Sequence, residues 1–297
     1  MVMKNIAFYV MNSKGLFVLK NYIEKFGANA IDYVVSEQDK AVQYDGFQEI
    51  KQLAQSNNIP FYPRTKFDVE IENKFSGLKF AIGWRWLIKN ETNLIVFHDS
   101  LLPKFRGFAP LVNSLINKEL RGGVTALFAD CKYDRGDIIA QKSTDFSYPI
   151  KIEEAIRQIE PLYFELVDKI YTRQLAGEPL TGYKQDENQA TYSLWLDHED
   201  YFIDWTWPSE KIKRFVDAVG YPYDGAKARL NDEVINFKEV DVPDDVVVEH
   251  RERHIGKVIF IEQGLPVIVC KQGLLALKEI TDENGRKVRI NFRSRFK

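Results

Sequence analysis

The stretch Asn93-Leu94-Ile95-Val96-Phe97-His98-Asp99-Ser100-Leu101-Leu102-Pro103-Lys104-Phe105-Arg106-Gly107 decides how this chain folds. Its first five residues are apolar and β-branched enough to read as a buried strand of a parallel sheet. That puts His98 at the strand's carboxyl end, where open α/β sheets carry their chemistry. Beyond it the chain turns through Pro103 and Gly107. An apolar pattern resumes at Ala109, Leu111, Val112, Leu115 and Ile116 with the spacing of one helix face. His98 is therefore predicted on a loop held between a strand and a helix. A second apolar run, Val124-Thr125-Ala126-Leu127-Phe128, predicts a strand that ends at Asp130. The loop after it carries Asp134 in Tyr133-Asp134-Arg135-Gly136-Asp137. Two neighbouring strand ends would bring imidazole and carboxylate together. On spacing alone, a histidine after a strand is more often a hydrogen-bonded, partly buried residue than a catalyst.

Outward from this stretch, strands and helices alternate. Strands are predicted at 6–10, 30–35 and 80–82, and helices at 16–26, closed by Gly27, and at 48–57. Alternation of this kind implies a Rossmann-like, doubly wound, mainly parallel α/β sheet. Residues 153–173 form a long amphipathic pattern with Pro161 predicted to kink or break it. Residues 180–192, rich in Gln, Asp, Asn and Thr, read as a linker. A capped helix over 209–219 precedes short apolar runs at 228–234, 256–261, 266–270, 274–280 and 288–292, the pattern of a small barrel-like β domain. The expected organisation is a catalytic domain over 1–180, a linker over 181–205 and a small β-rich domain over 206–297.

At 297 residues, 45% hydrophobic and 28% charged, the chain can bury a sizeable core. The start, Met1-Val2-Met3-Lys4-Asn5-Ile6-Ala7-Phe8-Tyr9-Val10, reads as a first strand, since it has no small-residue cleavage site. No run approaches the roughly 18 apolar residues of a membrane span. Cys131 and Cys270 lie far apart without metal-ligand spacing, so a reduced, cytoplasmic protein is expected. His250 and His254 lack a metalloprotease pattern and read as solvated, and His198 as part of a polar turn. No metal is expected. The net charge of −2 argues against a nucleic-acid partner. The basic tail over 286–297 reads as a solvated strand edge.

His-x-Ser-Leu-Leu-Pro-x-x-Arg-Gly at 98–107, followed by Asp-x-Gly-Asp at 134–137, resembles the 10-formyltetrahydrofolate-dependent formyltransferases. Ile203-Asp204-Trp205-Thr206-Trp207-Pro208 and Tyr221-Pro222-Tyr223-Asp224-Gly225-Ala226 extend the resemblance beyond the catalytic segment, toward the methionyl-tRNA and nucleotide-amino-sugar enzymes. The resemblance implies His98 and Asp134 as the catalytic pair and 10-formyltetrahydrofolate as formyl donor. It places a folate pocket at Gly83, Trp84, Arg85, Trp86 and Leu87, with Asp130 and Tyr133 beside it. The tryptophans would wall the pterin, or else pack between sheet and helix, and Arg85 would meet the anionic glutamate tail. Ser13 and Lys14 after the first strand, Ser100, and Lys104 and Arg106 after Pro103 are the substrate-binding residues it suggests. The two last would meet the phosphates of a nucleotide-linked sugar, or be ordinary solvated loop charges.

One position departs from the family pattern, which has Asn two residues before the histidine where this chain has Val96. A valine side chain donates no hydrogen bond, and losing one oxyanion donor costs about 100- to 1000-fold in turnover. Asn93 lies on the opposite strand face. Asn113, or a backbone N–H near Ser100, would have to take over. The implied reaction is attack of a substrate amine on the formyl carbon, with His98 as general base or oxyanion stabiliser and Asp134 orienting the imidazole. The preferred reading is an N-formyltransferase acting on a UDP- or dTDP-linked amino-dideoxy sugar for a surface glycan such as lipopolysaccharide or glycosylated flagellin. Methionyl-tRNA formyltransferase is the runner-up, and a catalytically impaired folate- or nucleotide-sugar-binding relative the third. The resemblance also allows a homodimer.

Overall fold

The computed structural model describes residues 5–231 and 233–297. The part of the first-strand reading that falls on 1–4 lies outside the described residues. In chain order the larger unit contains β1 (Ile6–Val10), α1 (Asn12–Phe26), β2 (Ile31–Ser36), α2 (Phe47–Ser56), β3 (Phe61–Pro63), α3 (Val69–Lys74), β4 (Leu78–Ile82), β5 (Leu94–His98) and β6 (Arg106–Gly107). After α4 (Pro110–Ile116) come β7 (Arg121–Phe128), β8 (Ile138–Asp145), α5 (Ile152–Ala176) and β9 (Tyr192–Ser193). Seven strands make one sheet in the order β3-β2-β1-β4-β5-β7-β8. The first five are parallel, β7 runs antiparallel to them, and β8, antiparallel to β7, returns to their direction. The chain winds one way from β1 to β3 and the other way from β4, so the order reverses between β1 and β4. There Met11 N–H donates to Ile82 O. A crevice at such a switch point is where open sheets bind ligands.

Strand alternation sorts side chains onto two faces. On one, Tyr22 of α1, Phe8, Phe80 and Phe97 stack edge to face, and Tyr163 of α5 adds a tilted contact to Phe97. All five rings are fully or almost fully buried, and each such side chain contributes roughly 1.5–3 kcal/mol. The other face carries Tyr9, Ala81, Val96 and the partly buried Trp84. His98 is two residues along β5 from Val96 and so shares this second face. The aromatic column packs one face, and the opposite face is covered by Ile71 of α3 together with Tyr62, Phe67 and Phe75.

Several sequence expectations shift. The first helix, expected from 16, opens at Asn12, so Ser13 and Lys14 are helical. Pro161 lies inside α5, which runs on without a break. Its missing N–H costs one ladder bond, which the buried Ile159, Tyr163, Leu166 and Val167 offset. Strand β7 runs antiparallel to β5, with Thr125 opposite His98 and Phe128 opposite Ile95. Its carboxyl end therefore lies at the far end of β5, and the 129–137 loop has to return to reach His98. The residues expected as linker are in part packed: Tyr183 bridges Ile138, and β9 pairs with β6. The compact unit that holds the large sheet extends through Glu154–Trp195.

The second unit comprises Val112–Glu119, Ser147–Glu153 and Leu196–Lys297. It holds α6 (Ser209–Val219), β10 (Ala226–Leu230), β11 (Glu233–Asp241), β12 (Val258–Glu262), β13 (Leu265–Val269) and β14 (Leu274–Asp282). These strands form an antiparallel sheet in the order β10-β11-β14-β13-β12. Trp205, Phe237 and Phe296 pack together beneath it. The run at 288–292 is not a strand. The basic tail instead meets its neighbours through single bridges at Lys287, Arg295 and Phe296. No helix among the described residues is long and apolar enough to cross a membrane.

Candidate active site

His98 ends β5 almost fully buried. Its Nε2 donates to Phe105 O across 2.7 Å. A carbonyl only accepts, so Nε2 carries the proton. The loop that supplies this carbonyl is tightly knitted. Ser100 Oγ donates to Lys104 O, and Thr125 Oγ1 donates to Ser100 O and accepts from Leu102 N–H. Phe105 N–H donates to Thr191 Oγ1. Phe105 itself sits at φ 59°, a left-handed conformation that a non-glycine residue keeps only where its surroundings hold it.

Asp134, also left-handed at φ 55°, brings its Oδ1 to 3.6 Å from His98 Nδ1. This is an electrostatic approach too long for a hydrogen bond. The other carboxylate oxygen accepts from Gly107 N–H at 2.7 Å. Gly107 lies at φ +98°, and a Cβ there would stand 2.5 Å from Ser193 O, so this position requires glycine. The imidazole is thus aimed by backbone and the carboxylate by the motif's glycine. The ring's hydrogen bond runs to Phe105 O, and Asp134, expected to orient the ring, stands beside Nδ1 without one.

The remaining predicted residues divide. Lys14, buried in the first turn of α1, pairs with Asp99, the residue after His98. Ser13 is half-buried beside it, and Lys104 is exposed. Ser100 spends its hydroxyl on Lys104 O within the loop. Arg106 is fully buried, and its guanidinium is held by Gln185, Glu187 and Tyr192. It faces the interior and so is corrected from phosphate ligand to scaffold. Glu187 in turn is pushed down to about 2, first by Arg106 and then by Arg135.

On the second sheet face, Trp84 contacts Tyr9 and Trp86 with ring centroids 5.4 and 5.2 Å apart. Its indole Nε1 is buried without a partner. Gly83, at φ +61°, lies so close to Asn12 that a Cβ would stand 2.5 Å from that side chain. The Arg85 guanidinium lies over Trp86 and Trp195 and donates to Asp39 Oδ2 at 2.7 Å. Leu87, Asp130 and Tyr133 are exposed, with Tyr133 6.0 Å from Phe108. Val96 packs with Leu102, Leu127 and Ile138. Asn93 turns away from it and donates to Ser76 O. Residues 19–173 match the model of the formyl transferase family, and residues 196–295 match that of its C-terminal domain.

The chain belongs to the formyl transferase family. Among curated proteins, this formyltransferase is 26% identical over 254 residues to methionyl-tRNA formyltransferase of Fusobacterium nucleatum subsp. nucleatum, covering 82% of this chain and 80% of that one. Two solved structures share its fold. WlaRD, a sugar 3N-formyl transferase crystallised with dTDP and 5-N-formyl-THF, superposes with TM-score 0.69 at 19% identity, over 96% of this chain and 99% of that one. The N-formyltransferase from Helicobacter canadensis, in complex with folinic acid and dTDP-3-aminofucose, gives 0.69 at 16% identity, over 92% and 98%.

Sequence reading missed Gln185, Glu187, Trp195 and Asp39 in this formyltransferase. The first two sit in a segment whose polar composition mimics a linker. A run rich in Gln and Asp reads as solvated unless a buried arginine elsewhere in the chain demands partners. Arg106, inside the motif, was that signal.

Proposed function

We propose that this formyltransferase moves a formyl group from 10-formyltetrahydrofolate to the amine of a nucleotide-linked amino sugar. The observation that carries the reading is the His98–Asp134 pair. With Nε2 committed to Phe105 O, Nδ1 is the ring nitrogen available for proton transfer, and the Asp134 carboxylate stands 3.6 Å from it. Nδ1 accepts the proton that the amine loses, and the carboxylate stabilises the imidazolium so formed. General-base assistance of this kind is worth roughly 100- to 10,000-fold.

The donor fits the second sheet face. A pterin is planar, apolar on its faces and carries both donors and acceptors at its rim. Trp84 and Trp86 offer flat walls, and the buried Trp84 Nε1 is a donor without a partner. Arg85, which lies over Trp86 and already holds Asp39, is a cation beside these walls for the glutamate tail. When bound, the folate supplies an activated formyl carbon, and the chain supplies position and proton transfer.

The acceptor reading rests on charge and on the two sugar enzymes, which the chain matches nearly end to end. A net charge of −2 suits a small anionic substrate held by a few local groups better than a polyanion. The curated relative's name supports methionyl-tRNA as the second reading. Lipopolysaccharide or flagellin glycan synthesis in the cytoplasm is the setting such a sugar product would serve. The test is mass spectrometry of UDP- and dTDP-linked amino-dideoxy sugars, with initiator methionyl-tRNA alongside, after incubation with 10-formyltetrahydrofolate. A sugar gaining a formyl group supports the reading. Formylation of the tRNA alone replaces it, and binding of folate with no transfer marks the activity as lost at Val96.

A further inference from the structure

Gln185 lies outside both sequence motifs, yet its carboxamide spans the catalytic centre. The Oε1 accepts from Arg106 Nε at 3.1 Å and from Arg106 Nη2 at 2.8 Å. The Nε2 donates to Asp134 O at 2.7 Å and to Gly136 O at 2.9 Å. These partners fix which end is which, since a guanidinium only donates and a carbonyl only accepts. Both hydrogens of the amide and both lone pairs of its oxygen are engaged.

We infer that Gln185 is a positioning residue that sets the geometry of the His98–Asp134 pair. The inference rests on reading that pair as catalytic. Arg106 stands between the two backbone groups that hold it, the Phe105 carbonyl on His98 and the Gly107 N–H on Asp134. Arg106 cannot drift, being fully buried and paired with Glu187 through Nη1 and the shared Nη2. Gln185 ties this fixed point to the backbone of Asp134 itself. The pairing of Arg106 with Tyr192 between β6 and β9 secures the same segment from its other end.

The clamp answers a strain problem. Asp134 and Phe105 both occupy left-handed φ, which non-glycine residues hold only when neighbours over-determine it. The 129–137 loop leaves β7 at the wrong end of β5 and must return to His98, so nothing in the sheet itself holds Asp134 in place. Displacement of a reacting group by about 1 Å costs on the order of 100-fold in rate, which gives a pair separated by 3.6 Å reason to be held from outside.

Gln185→Glu is the discriminating variant. It keeps the side chain's length and its bond to Arg106, but sets a carboxylate oxygen against the carbonyls of Asp134 and Gly136. Expected results are a melting temperature within a few degrees of wild type and backbone amides of 131–138 exchanging with deuterium at least tenfold faster. With the acceptor found in the panel above, kcat should fall roughly 10- to 100-fold while both KM values stay within about threefold. In an Asp134→Asn background the same change should cost nothing further, which a merely structural role would not produce. Gln185→Asn, one methylene too short to bridge Arg106 and Asp134, should repeat the loss. Unchanged exchange, unchanged kcat, or a full additive loss in the Asp134→Asn background overturns the inference. If no acceptor in the panel is formylated, the functional reading fails, and the exchange measurement alone decides the clamp.

Discussion

His98 points its Nε2–H at the carbonyl of Phe105, 2.7 Å away and seven residues on in the same loop. The consequence falls on the other nitrogen. Nδ1 faces Asp134 Oδ1 across 3.6 Å with no hydrogen bond between them. A neutral imidazole in this tautomer leaves a lone pair facing a carboxylate, an arrangement relieved when a proton arrives at Nδ1. In the proposed reaction this is the nitrogen that takes the amine's proton, with the Asp134 carboxylate beside it.

Asp134→Asn should lower kcat about 100- to 10,000-fold with little change in melting temperature. The carboxamide oxygen can still accept from Gly107 N–H, so the loop keeps its anchor while the negative charge is lost. His98→Asn should be equally severe. The measurement is steady-state transfer to the accepted amine, with thermal denaturation as control, and full turnover in either variant would remove the pair from the mechanism.

How much of this was legible beforehand depends on the range of the interaction involved. The β5 strand, the loop and α4 follow from local apolar spacing, and the sequence reading found them within a residue or two. The pairing of His98 with Asp134 was visible through the two motifs. The antiparallel sense of β7 was not, because the run Val124 to Phe128 is apolar on both faces and looks alike in either direction. Arg106 misled for a related reason: a cation after Pro103 looks solvated until partners 79 and 81 residues away are known. Those partners, Gln185 and Glu187, were in turn hidden by the composition of a linker.

Gly107→Ala tests the motif's glycine. A Cβ would meet Ser193 O at 2.5 Å with φ held at +98°, and such a backbone costs a non-glycine residue about 1–3 kcal/mol before any clash. Relief requires the β6–β9 pair to part, carrying the Gly107 N–H away from Asp134. The expected outcome is a lower melting temperature together with a loss in kcat larger than that in KM. A variant as stable and active as wild type would show that the backbone there adapts freely.

Val96→Asn returns the family's residue to its place on the face shared with His98. Val96 packs with Leu102, Leu127 and Ile138, so a carboxamide there should destabilise the fold by about 1–3 kcal/mol. If turnover is limited by the missing donor, kcat rises at least tenfold; the energy of one such donor, about 100- to 1000-fold, sets the upper bound. An unchanged kcat alongside the expected fall in stability would mean that a different group already holds the formyl oxygen.

Glu187 makes the clamp sensitive to acid. Arg106, and after it Arg135, hold its carboxyl down at about 2 against an ordinary value of 4.5. A depressed carboxyl stabilises the fold above its unfolded value and loses that contribution as pH falls through its folded one. The relevant window thus runs from about pH 4.5 down to about pH 2. Glu187→Gln should melt below wild type at neutral pH, with the gap closing as the solution is acidified through that window. The carboxylate is half exposed, so screening shrinks the effect and 1 M salt should narrow the neutral-pH gap as well. A gap that persists unchanged at the acid end would assign the stabilisation to packing of the segment, with the ion pair contributing nothing.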